Sequence, residues 1–374
     1  MENIGRRTFL AASVPALSAQ TTRPIRVALI GTGHRGWIQI AVLKANPGYE
    51  IVALADPTPE FLDRAATLAP GAARYSDYRK LLAERKDLDA AIVITPNFLH
   101  AEVTIAALER GLDVLCEKPM ATTVEDANRM AVAAAKSGKI LYIGCQKRFF
   151  PTNLKMQELV AAGAIGKIEF VSANLFRGDW NPRSWQYTDP KTGVSTNWRY
   201  LTRTEGSALL EDGIHEVDAL NWIINGRVRR VMATGGNNVY KDRETIDHAG
   251  LLIEYENGVK FTFDFCLFGQ NAGPAGRRTV LIGNEGIMQP ENGKIAVRKR
   301  SGGPAQYFDL KPLEPRVPED PEAYHQLLAF AESVRTRKPP FVGPESGKLA
   351  VKIMLLAEKS VREHRVMDWN DLPA

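Results

Sequence analysis

The chain has 374 residues, 44% of them hydrophobic and 24% charged, the balance of an ordinary folded globular protein. Its net charge of +5 is spread along the chain, and the one dense basic run, VRKRSGG at 297–303, is short, so no basic stripe interleaved with aromatics argues for nucleic acid. No apolar run approaches the roughly 18 residues that a membrane span requires, and the length predicts two domains or three.

The first residues read as a targeting segment. GRRTFLAASVPALSAQ pairs Arg6 with Arg7, continues through Thr8, Phe9 and Leu10, and runs into small uncharged residues up to Ala19. That order is the order of a twin-arginine export signal, so residues 1–22 are set apart from the fold and a periplasmic or otherwise exported location is expected. The cysteines Cys116, Cys145 and Cys266 are odd in number and lack CxxC spacing. They read as small buried hydrophobes, not a disulfide frame or a zinc site.

From residue 25 short apolar runs alternate with amphipathic ones. IRVALI (25–30), YEIVALAD (49–56), AAIVIT (90–95), DVLCEK (113–118) and ILYIGC (140–145) are strand candidates. HAEVTIAALERG (100–111) and TTVEDANRMAVAAAKSG (122–138) are helical, each closed by a glycine. This alternation predicts a doubly wound parallel sheet over 23–146. The remainder, 147–374, reads differently. KIEFVSANLF (167–176), RRVMATGG (229–236), AGLLIEYENG (249–258), VKFTFDFCLFG (259–269) and TVLIGNEGIMQ (279–289) follow one another with little helix between them. They predict a large, mostly antiparallel open sheet in an α/β domain, with an Asn-Gly hairpin turn inside YENGVKF. Helices are predicted at 151–162, 207–224, 322–337 and 345–364, and the last pair is expected to pack back on the first domain.

VALIGTGHRG places Gly31, Gly33 and Gly36 directly after the first strand and before a helix. In that context G-x-G-x-x-G is a dinucleotide loop, with Gly31, Gly33, His34, Arg35 and Gly36 around a pyrophosphate. Asp56 ends the second strand 20 residues after Gly36. A carboxylate there suits ribose hydroxyls and repels a 2′-phosphate. PTPEFLD, which follows it, holds no arginine or lysine, so NAD is expected over NADP.

LLEDGIHEVD (209–218) gathers acids around a histidine. Glu211, His215 and Asp218 at i, i+4 and i+7 would share one side of a helix. A solvated face, a metal site and a proton-transfer group are all open on this stretch alone. Asp247 and His248 form the only nearby metal-like pattern, so no metal site is predicted. Lys118, in CEKPM, ends a parallel strand and so points toward the crevice where ligands bind.

GTGHRG, TPNFLH, EKPM, the KRF-x-P segment with GAIGKI after it, DGIH-x-x-D and FAESVRTRKPP, in this order, resemble the Gfo/Idh/MocA oxidoreductases. The resemblance covers nearly all of the chain after the signal. It implies a dinucleotide-binding domain joined to an α/β domain whose open sheet mediates assembly, hence a homodimer or homotetramer. It also implies a carbohydrate substrate held between the EKP lysine, Lys118, and a histidine, His215, with an upstream acid. That acid is usually an aspartate; here the position is Glu211, expected either to hold the imidazole in one tautomer or to contact the sugar directly, with Asp212 next to it at the substrate. Thr95, Pro96, Asn97, His100 and Glu117 are expected around the nicotinamide end. Arg148 is expected to line the substrate pocket, and Trp180, Trp185 and Trp198 are candidates for a substrate loop and equally for packing or an oligomer arm. The expected activity is NAD(H)-dependent oxidation of a sugar, cyclitol or glycoside with tightly held cofactor. An NAD-dependent glycosidase or lyase working by transient oxidation and elimination is the alternative, and a non-catalytic dinucleotide- and sugar-binding protein is the alternative of another class.

Overall fold

The computed structural model describes residues 23–179, 186–188, 192–270, 272–314 and 320–373. The expected export signal, Trp180 and Trp185 lie outside the described residues.

The first sheet is six-stranded, all parallel, in the order β3-β2-β1-β4-β5-β6. Its strands are β1 (Ile25–Ile30), β2 (Tyr49–Ala55), β3 (Ala73–Tyr75), β4 (Ala90–Val93), β5 (Asp113–Glu117) and β6 (Leu141–Gly144). Helices α1 (His34–Lys44), α2 (Pro59–Leu68), α3 (Tyr78–Glu84), α4 (His100–Glu109) and α5 (Val124–Ser137) make the crossovers. β4 is buried throughout and β1 has one half-buried residue, Arg26, as expected of central parallel strands covered on both faces. α5 begins where Thr123 accepts a hydrogen bond from the Asp126 amide and ends on Gly138 at φ +64°, matching the start and stop signals in its sequence. The order reverses between β1 and β4, which opens a crevice at their carboxyl ends.

The second sheet is nine-stranded, in the order β16-β15-β14-β13-β7-β12-β11-β10-β17. It comprises β7 (Ile168–Phe176), β10 (Val228–Gly236), β11 (His248–Tyr255), β12 (Lys260–Cys266), β13 (Arg277–Gly283), β14 (Gly286–Glu291), β15 (Lys294–Lys299), β16 (Gln306–Asp309) and β17 (Met367–Asp368). Only β7 and β12 run parallel; every other pair is antiparallel. A small ribbon, β8 (Gln186–Thr188) with β9 (Ser195–Asn197), stands apart. The inner face presents Val171, Leu251, Ile253, Phe261, Phe263 and Leu281, all buried. Packed on it or beside it are α6 (Pro151–Ala161), α8 (Ile214–Ile224) and α10 (Pro344–Glu363), while α7 (Thr202–Glu205) is a single turn near the cleft. The predicted hairpin turn forms between β11 and β12, where Gly258 takes φ +91°.

The C-terminal helices return to the first sheet. α9 (Pro321–Thr336) lies along α1, and Tyr49 donates to the Leu327 carbonyl at 2.5 Å. The Val342 carbonyl accepts from the Ile143 amide at 2.9 Å, so the edge strand β6 is covered. Gly347 sits so close to Met120 and Ile143 that a methyl group there would lie 2.9 Å from the Met120 sulfur.

One buried group has a pH consequence. Burial pushes the Glu358 carboxyl of α10 up to about 8, against the pull of Arg362, and its Oε1 has no hydrogen-bond partner among the described residues. A carboxyl raised in the folded state is proton-bound there while the unfolded chain has already ionised. The contribution of this one group to stability is therefore largest below the ordinary glutamate range and is lost as pH rises toward 8, by about 1.4 kcal/mol per unit of displacement. Glu358→Gln removes this dependence. Its melting temperature is expected to exceed that of the unmodified protein by a margin that widens from about pH 5 to pH 8; a margin independent of pH would refute the assignment.

Candidate active site

A cleft of about 860 Å³ opens at the carboxyl ends of β1, β4 and β5 and reaches the edge of the second sheet. At one end lies the glycine loop. Gly31 takes φ +97°, and a Cβ there would lie 2.3 Å from the Ile94 carbonyl oxygen on the neighbouring β4 strand. A Cβ on Gly36 would lie 2.2 Å from the Gly31 carbonyl, so this glycine lets α1 start tight against the loop. Gly33 is different. A Cβ there would meet only the Phe61 ring, at 3.7 Å, so the fold itself does not require glycine at this position. Close approach of a ligand does. α1 then begins at Gly33 with no side chain capping it, which leaves its N-terminus for an anion. The loop thus fits a dinucleotide pyrophosphate, with Gly33 as the observation that points to one.

Asp56 closes β2 beside this loop. Its Oδ2 accepts from the Thr32 amide at 2.7 Å and its Oδ1 from the Thr58 amide at 2.9 Å. Burial pushes its carboxyl above the ordinary aspartate range despite these amides. His34 also lines the cleft. Arg35 lines it too, but its guanidinium is engaged: Nε donates to Glu117 at 2.9 Å and an Nη to Asp320 at 2.6 Å. Arg35 and Glu117, expected at the cofactor, therefore bind each other and tie α1 to β5 and α9.

Further along, Thr95 and Pro96 end the β4 strand at the cleft wall. Asn97 is buried and its amide donates to the Glu205 carbonyl at 3.0 Å and to Glu211 Oε2 at 2.8 Å. His100 is also buried, with Nδ1 2.7 Å from the Pro119 carbonyl and Nε2 2.9 Å from the Thr95 carbonyl. It lines the cleft and also clamps the ends of β4 and β5 together.

Lys118 ends β5 with its ammonium in the cleft. Nζ donates to Glu211 Oε1 at 2.6 Å and to the Glu211 carbonyl at 2.8 Å. Glu211 also receives Arg199, so two cations and the Asn97 amide converge on one buried carboxylate. Burial opposes ionisation of Glu211, but Arg199 and Lys118 outweigh it and hold the carboxyl below its usual range. Glu211 thus orients Lys118 and not His215, contrary to the expectation from sequence. The cause is local: Leu209–Gly213 is a π-type turn leading into α8, and it changes the angular spacing between 211 and 215. Asp212 accepts from Arg177 at 3.3 Å.

His215 lies in the first turn of α8 and faces the cleft. Its Nδ1 is buried with no hydrogen-bond partner among the described residues. Burial, followed by the cations of Lys118, Lys147, Arg35 and Arg277, pushes its pKa well below the ordinary histidine value. The ring is therefore neutral at pH 7 and can accept a proton.

Arg148 also departs from the expectation that it lines the substrate pocket. It is buried away from the cleft and grips Asp218 through two hydrogen bonds of 2.8 and 2.6 Å. The third residue of the expected Glu211–His215–Asp218 face is thus a structural anion. The neighbour Lys147 lines the cleft instead, donating to Glu216 at 2.9 Å. Arg277 reaches the same Glu216 oxygen through Nε at 2.8 Å. Trp198 is buried in the cleft wall with its ring 5.3 Å from the Arg199 guanidinium carbon. Sequence reasoning missed Lys147, Arg177, Arg199 and Arg277. Arg177 follows β7 and Arg277 begins β13; because these strands are antiparallel neighbours, both cations stand at one end of the sheet. Among the described residues no group of three or more metal-ligating side chains occurs.

Comparison with known proteins agrees with this arrangement. Residues 25–145 match the Gfo/Idh/MocA model for the oxidoreductase family with NAD-binding Rossmann fold, and residues 153–289 match the Gfo/Idh/MocA C-terminal domain. The chain is 25% identical over 355 residues to the myo-inositol 2-dehydrogenase of Thermotoga maritima, across 91% of this chain and 97% of that protein. It is 28% identical over 232 residues to the 2,7-anhydro-N-acetylneuraminate hydratase of Mediterraneibacter gnavus, across 62% of this chain and 58% of that one. A crystal structure of an oxidoreductase domain protein from Kribbella flavida superposes with a TM-score of 0.80 at 25% identity, covering 94% of this chain and all of that one. With an NAD-binding Rossmann domain followed by a mixed, mostly antiparallel sheet, the chain belongs to the Gfo/Idh/MocA family of sugar and cyclitol oxidoreductases.

Proposed function

We propose that the protein oxidises a secondary hydroxyl of a sugar, cyclitol or glycoside, with NAD as the hydride acceptor. The observation that carries this reading is the placing of Lys118 and His215 on the wall of the cleft that begins at the glycine loop. NAD, when bound, supplies the acceptor for the hydride leaving the carbinol carbon. His215, neutral and partly shielded, takes the hydroxyl proton. Two of the three Lys118 protons are directed at Glu211, which leaves the third for the substrate oxygen as it gains negative charge. Glu211 aims that ammonium and Arg199 braces Glu211. Asp56 favours NAD over NADP, since a buried carboxylate beside the loop would repel a 2′-phosphate.

Export through the twin-arginine route is part of the proposal and rests on Arg6, Arg7 and the small-residue run after them. A protein exported folded carries its cofactor with it, so the dinucleotide would be held tightly and regenerated within the cycle. The exposed side chains of Met232, Leu252 and Ile282 on the outer face of the second sheet support a homodimer or homotetramer.

A redox-neutral outcome is the second reading, and the similarity to a hydratase favours it. Oxidation acidifies the neighbouring C–H; elimination, addition of water and return of the hydride then leave the cofactor unchanged. One experiment separates the two. The purified full chain, with and without added NAD, is incubated with polyols, sugars and aryl glycosides while nicotinamide absorbance and aglycone are followed. NADH formed in proportion to product is expected for net oxidation, and product without NADH for the redox-neutral route. Dinucleotide binding with neither outcome across the panel would leave a binding protein.

A further inference from the structure

The half of the cleft beyond Lys118 is more positive than an uncharged polyol requires. Lys118, Lys147, Arg177, Arg199 and Arg277 line it. Among the described residues, three carboxylates pair with them: Glu211 with Lys118 and Arg199, Asp212 with Arg177, and Glu216 with both Lys147 and Arg277. A fourth acid, Glu205, is buried nearby, and burial pushes its carboxyl well above the usual range against the pull of Arg199. Residues 180–185 and 189–191 lie outside the described residues.

The shortfall is sharpest at Glu216. One of its oxygens accepts from Lys147 Nζ at 2.9 Å and forms an ion pair with Arg277, whose Nε lies 2.8 Å away. Lys147 is only 8% exposed, so its charge is poorly hydrated. Arg277 is half exposed, and among the described residues its two terminal nitrogens make no hydrogen bond. An unused pair of coplanar N–H groups beside a buried ammonium is a seat for a carboxylate. The same excess is felt by neighbours: after burial, cations are what hold His215 low, and Arg199 and Arg277 add to burial in lowering Arg177.

We propose that the substrate bears a carboxylate seated on Arg277 and Lys147, so that the site takes a sugar acid in preference to the neutral sugar. This rests on the oxidoreductase reading above and names the substrate class for the same site. A charge-assisted hydrogen bond to a carboxylate contributes enough to predict a preference of about ten- to a hundred-fold.

The test titrates the full chain loaded with NADH, by calorimetry, with three matched pairs: D-glucose and D-glucuronate, D-galactose and D-galacturonate, D-mannose and D-mannuronate. D-Glucose 6-phosphate serves as an anion without a carboxylate. At least one uronate is expected to bind about ten-fold or more tightly than its neutral partner. Arg277→Gln should bring that ratio near one, and Arg277→Lys should restore part of it; loss of folding alone would weaken both members of a pair and leave the ratio unchanged. Parity in all three pairs, no binding by any of them, tighter binding of the phosphate than of the uronates, or a ratio untouched by Arg277→Gln would each overturn the proposal. NADH formation from neutral polyols together with parity would sink this inference and leave the oxidoreductase reading standing. Failure to bind NADH would sink the reading itself.

Discussion

Replacing Lys118 with methionine is expected to lower kcat on any substrate of the protein by roughly a thousandfold, with NADH affinity changed little. Methionine replaces the apolar stem of lysine atom for atom and lacks only the terminal ammonium, so β5 and its neighbours should pack as before. What is lost is the donor aimed at the substrate oxygen. A single donor to a developing oxyanion is worth about two to three powers of ten, because it costs no reorganisation when the charge appears. Glu211 makes the loss larger. With Lys118 gone, it keeps Arg199 and Asn97 but loses the hydrogen bond that held it toward the substrate side. His215→Asn should cost a comparable factor, and the double variant little more, since the two groups act on one hydroxyl. The measurement is stopped-flow or steady-state NADH formation beside NADH titration of the same samples. Should the methionine variant retain more than about a tenth of kcat, Lys118 is not the group that handles the oxygen.

The second large effect concerns stability. Asp218→Ala is expected to destabilise the protein by about 3–5 kcal/mol, because it strands the Arg148 guanidinium in the interior. Both side chains are at most 5% exposed, and Arg148 makes two short hydrogen bonds to that one carboxylate. The cost is a large part of the roughly 5–15 kcal/mol that holds a domain together. A paired exchange, Arg148→Met with Asp218→Leu, should recover most of it, since two apolar groups of similar volume need no partner. Thermal melts of the three proteins give the comparison, with KM of the paired variant as control. If the paired variant melts as low as the single one, the ion pair is not what Asp218 supplies. If it is stable but its KM rises tenfold or more, Arg148 belongs to the substrate site after all.

Arg148 also shows where sequence reasoning reaches its limit. Lys147 and Arg148 are adjacent cations after the same strand, and any motif locates both. Which one faces the cleft is set by the short helical turn Gln146–Phe149, a matter of rotation that no periodicity rule resolves. Glu211 is a similar case. Its place four residues before His215 implied contact along a regular helix, and one π-type turn sent it to Lys118 instead. β3 escaped notice because Ala73–Tyr75 is too short to show alternation. The glycine loop, the parallel sheet and the position of Lys118 were legible because each depends on local chemistry: a forbidden Cβ, a buried apolar run, a strand end; His215 was singled out only by the family resemblance. Arg177 and Arg277 were not, because they meet only through the antiparallel pairing of strands a hundred residues apart.

The bond between Arg35 and Asp320 has a meaning for how the protein is made. The helix that begins at the glycine loop is pinned, through Arg35, to the start of α9, and the Ile143 amide of β6 waits for the carbonyl of Val342. A ribosome that has delivered the complete first sheet has still not supplied either partner. The nucleotide groove is consequently finished only once residues 320–342 have emerged and folded back, and a nascent chain that has not yet reached them holds an open edge where the folded protein has a wall.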